Sequence, residues 1–380
     1  EPKVTAIQLT PGQYTLTPQD GSSRNYEFNY VSGLLVINAK LNVDISLSKT
    51  QFTYDGTAKE PAVTVKDGEK VLTLGTDFTV SYSDNINAGT GTVTITLMGN
   101  YAGTSTKTFI INKAEGTASV SIEGWTYGEV SKNPVPSSST NGIDNVTYLY
   151  TGTTNDGTAY SSTVAPTKAG NYKITATFAE TQNFNKVTSE ADFTISKAQL
   201  TPIATANNKV YDGNTTATGT ITLDGAVNNE NPTVTAIFTF ENATAGTGKT
   251  VNATNIKLDS EWTANYELTT DTTTTTADIK AKDLTANEMA ISLSQTDFTY
   301  DGTAKERTVT IKDGTNTLVQ GTDYTVIYTD NVNAGTATIT ITGTGNYSVQ
   351  TTKTFTINKV KLTPSVTANN KVYDGNTTAT

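Results

Sequence analysis

The chain contains neither histidine nor cysteine. Ser-His-Asp and Cys-His nucleophile systems, two-His metal sites and thiolate ligands are therefore excluded within it. Chemistry is left to carboxylates, amides, lysines, tyrosines and glycine-rich turns. Gly246-Thr247-Gly248-Lys249-Thr250 approaches the phosphate-loop pattern, but Ala243 stands where the first glycine belongs and no helix pattern follows. Asp84-Asn85-Ile86-Asn87 and Asp330-Asn331-Val332-Asn333 offer oxygens to calcium, yet each brings a single carboxylate, and calcium wants about six to eight oxygens. A turn capped by Asp and Asn is the preferred reading; a calcium ion at an inter-module joint stays open. Asp55, Asp67, Asp212, Asp301 and Asp313 all precede glycine. A carboxylate pair for glycoside hydrolysis leaves no local signature, but the same acid returning in tandem copies argues against catalysis. Tyr54, Tyr101, Tyr211, Tyr266, Tyr300 and Tyr347 could stack sugars, although their fixed place in each repeat favours core or corner packing. Lys113, Lys197 and Lys359 could condense with Asn or Asp side chains into amide cross-links, which needs a buried lysine and a helping carboxylate; their positions suggest solvated joints instead. No catalytic residue, cofactor-binding residue or metal ligand is assigned, and the expectation is a protein without enzymatic activity or cofactor.

The elements that position these residues are repeats. Tyr54-Asp55-Gly56 returns as Tyr211-Asp212-Gly213, Tyr300-Asp301-Gly302 and Tyr373-Asp374-Gly375. Tyrosine suits a strand and Asp-Gly a tight turn, so each copy reads as a strand end, and four copies read as an internal repeat. Each repeat closes with Asn-Tyr, then an isoleucine and a lysine: Asn100-Tyr101 before Ile111-Asn112-Lys113, Asn171-Tyr172 before Ile195-Ser196-Lys197, Asn265-Tyr266 before Ile279, and Asn346-Tyr347 before Ile357-Asn358-Lys359. Between these marks, apolar and polar residues alternate at Val63-Thr64-Val65, at residues 78–82 and at residues 93–97, with turn signals between them. Period-two runs at roughly ten-residue spacing predict antiparallel sandwiches, and no window carries a helical stripe.

The boundaries follow. Residues 1–40 read as the back part of a module, 41–113 as module one and 114–197 as a diverged module two with Trp125-Thr126-Tyr127-Gly128 and a Pro/Ser-rich loop at 133–141. Residues 198–282 form module three, 283–359 module four, and 360–380 the start of a further copy of module three. Residues 52–60 and 298–306 are identical, 246 positions apart. The chain reads as a window on a longer repetitive protein, with no signal peptide at its start.

Composition sets outer limits. A net charge of -10 disfavours nucleic acid and anionic membranes, and no apolar stretch is long enough for a membrane span. With 35% hydrophobic residues, any core is thin and divided among small modules. Lys209-Val210-Tyr211-Asp212-Gly213, with residues 246–251 and Ala264-Asn265-Tyr266, resembles the YDG domain of bacterial surface proteins. Residues 25–40 and module two resemble the related MBG-type and other bacterial immunoglobulin-like repeats. The resemblance implies an all-β chain of tandem immunoglobulin-like sandwiches in an elongated array, serving as a stalk of an extracellular, cell-surface or secreted adhesin-like protein. The partners so implied are neighbouring modules of the same chain. A host glycan or host protein on a module face, most plausibly through the 133–141 loop of module two, is the alternative. Modules roughly 30–40 Å long are expected from strands of five to ten residues.

Overall fold

The computed structural model describes residues 10–19, 21–287 and 289–380, so residues 1–9 and 20 of the leading part-module lie outside the described residues. Two compact units emerge, Glu1–Ser196 and Lys197–Thr380. Among the described residues every element is a strand and none is a helix, as the period-two patterning requires.

In the first unit, Gly12–Leu16 pairs antiparallel with Gly33–Ile37. Module one then builds two sheets. Asp44–Leu47, Val63–Asp67 and Lys70–Val71 form one, and Gln51–Thr53, Gly103–Asn112, Gly89–Leu97 and Phe78–Ser83 form the other, in that order. The chain changes sheets between Leu47 and Gln51, and its second half runs parallel to the last strand, Phe52 opposite Ile111. Val65 from the small sheet meets Phe78, Val93, Ile95, Phe109 and Ile111 from the large one in a single buried cluster. The facing positions explain the abundance of threonine: Thr92, Thr94 and Thr96 stand opposite Thr108, Thr106 and Thr104 on the outer face, where β-branched hydroxyl pairs stabilise a solvated sheet. Module two has a five-stranded sheet, Trp125–Thr126, Val187–Ser196, Gly170–Phe178, Val146–Thr154 and Ala159–Ser162, with a two-stranded companion, Ser119–Ser121 and Val135–Ser137. Trp125 stacks on Phe193 with ring centroids 5.1 Å apart.

In the second unit, module three places Gly219–Asp224, Ala198–Ala206 and Tyr266–Leu268 in one sheet. Its other sheet holds Lys209–Val210, Thr273–Lys280, Gly246–Leu258 and Val234–Phe240. Module four repeats both sheets of module one and adds a parallel pair, Lys282–Asp283 with Tyr347–Ser348, where module one has the single bridge Lys40 to Tyr101; its core includes Val309, Ile311, Tyr324, Ala337, Ile339, Ile341, Phe355 and Ile357. The chain is thus all-β, a tandem series of immunoglobulin-like antiparallel sandwiches. Residues 359–380 carry no strand.

Candidate functional site

The parallel pairing of the early strand with the last one decides where the Tyr-Asp-Gly tyrosine goes. Tyr54 N–H donates to Asn112 O (2.9 Å), Tyr211 N–H to Lys280 O (2.8 Å) and Tyr300 N–H to Asn358 O (2.9 Å). The tyrosine therefore stands beside the closing residues, at the pole where the chain leaves its module.

The Asp-Gly that follows is a turn closed by charge. Gly56, Gly213 and Gly302 have φ of 82°, 78° and 84°, a left-handed conformation that glycine adopts without a Cβ clash. Asp55 Oδ1 accepts Thr57 N–H (2.9 Å) and Thr57 Oγ1–H (2.6 Å) and pairs with Lys59. Asp301 does the same with Thr303 and Lys305. In module three the cation comes from the other side: Lys209 Nζ donates to Asp212 Oδ1 (2.7 Å) and to Asn214 O (2.8 Å). Lys59 and Lys305 are each 6% exposed, and a buried ammonium requires such partners. The Lys59 and Lys305 hydrogen bonds, joined by those of Thr57 and Thr303, hold the Asp55 and Asp301 carboxyls well below the usual carboxylate range. At Asp212 burial opposes ionisation, and Lys209 with Asn214 outweighs it.

Onto this pole the next module closes a corner. In the first unit, the corner is Asn183-Phe184-Asn185 of module two. Ala114, the link residue, donates its N–H to Asn183 O (2.9 Å) and accepts Asn185 N–H (2.8 Å). The Asn183 side chain reaches back into module one, accepting Ala88 N–H at 2.9 Å and donating Nδ2–H to Asn87 Oδ1 at 3.0 Å. Phe184 meets the Tyr54 ring edge-on, 5.4 Å between centroids, and Lys113 pairs with Glu180 at 3.1 Å. The second unit repeats the device between modules three and four. Lys282 N–H donates to Asn346 O (2.9 Å), Asn346 Oδ1 accepts Ala245 N–H (2.9 Å), and Tyr347 meets Tyr211 edge-on at 5.6 Å. Tyr211 packs against the cores of both modules. The link lysine is anchored as well: Lys282 Nζ donates to Asp313 Oδ1 (2.7 Å), whose Oδ2 accepts Tyr347 Oη–H (3.2 Å). Lys40, Asp67 and Tyr101 make the same triad at 2.5 and 3.2 Å. Burial first, and the Asp313 charge second, raise the Tyr347 phenol above its ordinary range.

Several sequence expectations are changed by this geometry. Asn171-Tyr172 does not close module two. It lies within Gly170–Phe178, with Tyr172 buried and its hydroxyl on Lys168 O at 2.8 Å. The corner is Asn183-Phe184, hidden because phenylalanine replaces tyrosine. Spacing could have found it: the other corner asparagines stand 11 to 14 residues before the closing isoleucine, Asn183 stands 12 before it and Asn171 stands 24 before it. The tyrosines divide into two groups. Tyr101, Tyr266 and Tyr347 are buried, whereas Tyr54, Tyr211 and Tyr300 serve the exit pole. Lys113 and Lys197 are not simply solvated, since Lys197 Nζ donates to Thr263 O at 2.5 Å. The buried lysines beside an Asp or Asn, among the described residues, are Lys59, Lys305 and Lys249; sequence reading considers Lys249 only within the phosphate-loop pattern and does not consider Lys59 or Lys305. Lys59 and Lys305 face ionised carboxylates, a charge state that holds an ion pair, whereas amide condensation needs a neutral amine and a carboxylic acid.

The remaining candidates are absorbed into architecture. Gly248 N–H donates to Asp278 Oδ1 (2.8 Å), so a carboxylate occupies the place a phosphate would take, and Lys249 bonds Asn242 and Thr244. Asp84 and Asp330 sit in left-handed turns at φ of 52° and 56°. Asn85 and Asn331 donate to Lys59 O and Lys305 O at 3.2 and 3.0 Å. The 133–141 stretch is not a loop throughout: Val135–Ser137 pairs antiparallel with Ser119–Ser121, and after it Ser138 Oγ–H donates to Thr117 O (2.8 Å), and Asn141 Nδ2–H to Ala179 O and Asn185 O (2.8 and 2.9 Å).

Comparison with curated proteins gives no match. Among solved structures, the immunoglobulin domains 1–5 of Sidekick-1 align over 95% of this chain and 98% of that chain, at 12% identity and a TM-score of 0.23. The YDG domain model matches residues 196–276, the stretch that contains the lysine-closed turn of Asp212 and the corner of Asn265-Tyr266, so this part of the chain is similar to the YDG domain.

Proposed function

We propose that the chain is a stalk or spacer segment of a large bacterial adhesin-like protein, displayed on the cell surface or secreted, with no reaction of its own. The single observation that carries this reading is the recurrence of one junction. In each unit an Asn-aromatic corner closes on the preceding module's exit pole with the same backbone bond, the same side-chain bond to an alanine N–H and the same edge-on ring pair. A junction specified alike in both units fits a part whose work is to transmit position and load. Asp55, Asp212, Asp301 and Lys249, among the groups that could do chemistry, are engaged in turns. Residues 25–40 and module two are read as MBG-type or other bacterial immunoglobulin-like relatives, module two on the strength of the Trp125-Thr126-Tyr127-Gly128 variant. Neighbouring modules are the partners, and the acidic surface sets nucleic acid apart from them.

Small-angle scattering of the full chain tests this. A compact 380-residue globule has a radius of gyration of about 21 Å; a spacer gives a value well above it. A radius at the globular value overturns the spacer. Specific retention on a glycan array, abolished by substitutions in the 133–141 loop, would establish the alternative of a recognition module.

A further inference from the structure

We infer that the exit pole of module four is a docking site for the Asn-aromatic corner of a YDG module. The contacts offered are the Ala334 N–H, the Asn333 side-chain carbonyl, the Tyr300 ring and the Val360 backbone. This deepens the spacer reading and rests on it.

The same residues are engaged at two other poles of this chain. Ala88 and Ala245 donate their N–H groups to Asn183 and Asn346, and Tyr54 and Tyr211 hold the corner rings edge-on. Ala334 follows Asn333 as Ala88 follows Asn87, yet its N–H meets no acceptor among the described residues. Tyr300 is 39% exposed. Tyr300, Ala334, Lys359, Val360 and Leu362 line a cleft of about 530 Å³. Val360 stands where Ala114, Ala198 and Lys282 stand, three residues after the closing isoleucine, and each of those three donates its N–H to a corner asparagine.

The occupant is identified by the segment that leaves this pole. Residues 367–380 repeat residues 205–218 without a change. In the YDG domain the equivalent segment is packed, Leu200 being 0% exposed, and Ala198 N–H donates to Asn265 O at 2.9 Å. Leu362, the counterpart of Leu200, is 82% exposed, and Val366, Val372 and Tyr373 are similarly bare. The strands that pair with the Leu200 segment, Gly219–Asp224 and Tyr266–Leu268, lie within residues 219–282, so the matching partner for this pole is the Asn265-Tyr266 corner of such a module. Asparagine is required because Asn183 both accepts from Ala88 and donates to Asn87; aspartate would set its charge against the Asn333 carbonyl.

The test lengthens the full chain after Thr380 with a copy of residues 219–282 and follows amide hydrogen exchange. Ala334 should become protected by roughly ten-fold or more, together with the segment around Leu362 and Val372. Substitution of the copied Asn265 by Ala or Asp, or Tyr300→Ala, should return Ala334 to its original exchange rate while the added strands stay protected. If the added module protects Leu362 and Ala334 still exchanges as before, the docking site is refuted and the spacer reading, judged by scattering, stands. If the segment around Leu362 stays open in the lengthened chain, the occupant is wrongly assigned and the inference falls.

Discussion

Residues 52–60 and 298–306 are the same nine amino acids in two surroundings. In both, the aspartate caps its threonine two residues on and pairs with the lysine four residues on, and the lysine is buried to the same extent. Within the first unit Tyr54 is half-buried against Phe184, whereas Tyr300 stays exposed. The turn is a local property that travels with its sequence. The tyrosine's role is conferred by whichever corner arrives, so a module carries a finished lock and an unfinished socket. One residue further on, the copies differ again: Pro61 in module one is Arg307 in module four. A tyrosine hydroxyl donates to the carbonyl of each, Tyr82 to Pro61 O at 2.8 Å and Tyr328 to Arg307 O. Arg307 lies stacked on Phe298, with Nε and Nη2 unpartnered among the described residues.

The largest expected break in the comparison comes from the tyrosines. Tyr54→Ala removes a packed ring pair and should cost about 2 kcal/mol, read by denaturant unfolding and by exchange at Ala88; Tyr300→Ala should cost less than about 0.5 kcal/mol. Equal losses would show that the ring serves its own module alone. Next, removing the unpaired cation while keeping the backbone bond should help. Arg307→Met keeps the Arg307 N–H on Tyr328 Oη (3.1 Å), removes a buried cation whose guanidinium pKa is lowered by burial, and should stabilise module four by about 0.5–1 kcal/mol; a loss of stability would mean that the Phe298 stack outweighs the unpaired nitrogens. The smallest contrast is expected in acid. Asp55 and Asp301 are held below the usual carboxylate range by Lys59 and Lys305. Their folded pKa values are below the unfolded value of about 4, so this stabilisation is complete above that pH and is lost as pH falls towards the folded value. Unfolding midpoints between about pH 5 and 2 should fall in the wild type, and Asp55→Asn and Asp301→Asn should flatten that limb equally. Unequal flattening would show that the two turns are not equivalent.

Much of the fold was legible because strands facing a thin core alternate strictly. The run at residues 93–97 lies within Gly89–Leu97, and that at residues 78–82 lies within Phe78–Ser83. The repeat of Tyr-Asp-Gly was legible too, since Asp-Gly has few places to go other than a turn. The buried lysines were not, because a lysine beside threonine and alanine reads as solvated until the sheets close over it. Asn183 was missed for a related reason: its meaning lies in Ala88, 95 residues away.

Composition and period alone determined that this chain is built of sheets, that it repeats, and that histidine and thiol chemistry are excluded within it. Those follow from which side chains exist and how often they recur, and both are properties of a string. Only the tertiary structure decided that the Tyr-Asp-Gly tyrosine marks an exit pole and that one asparagine joins two modules. Those depend on a parallel pairing between the early and last strands of a module, some sixty residues apart, and no local preference encodes such a long-range neighbour.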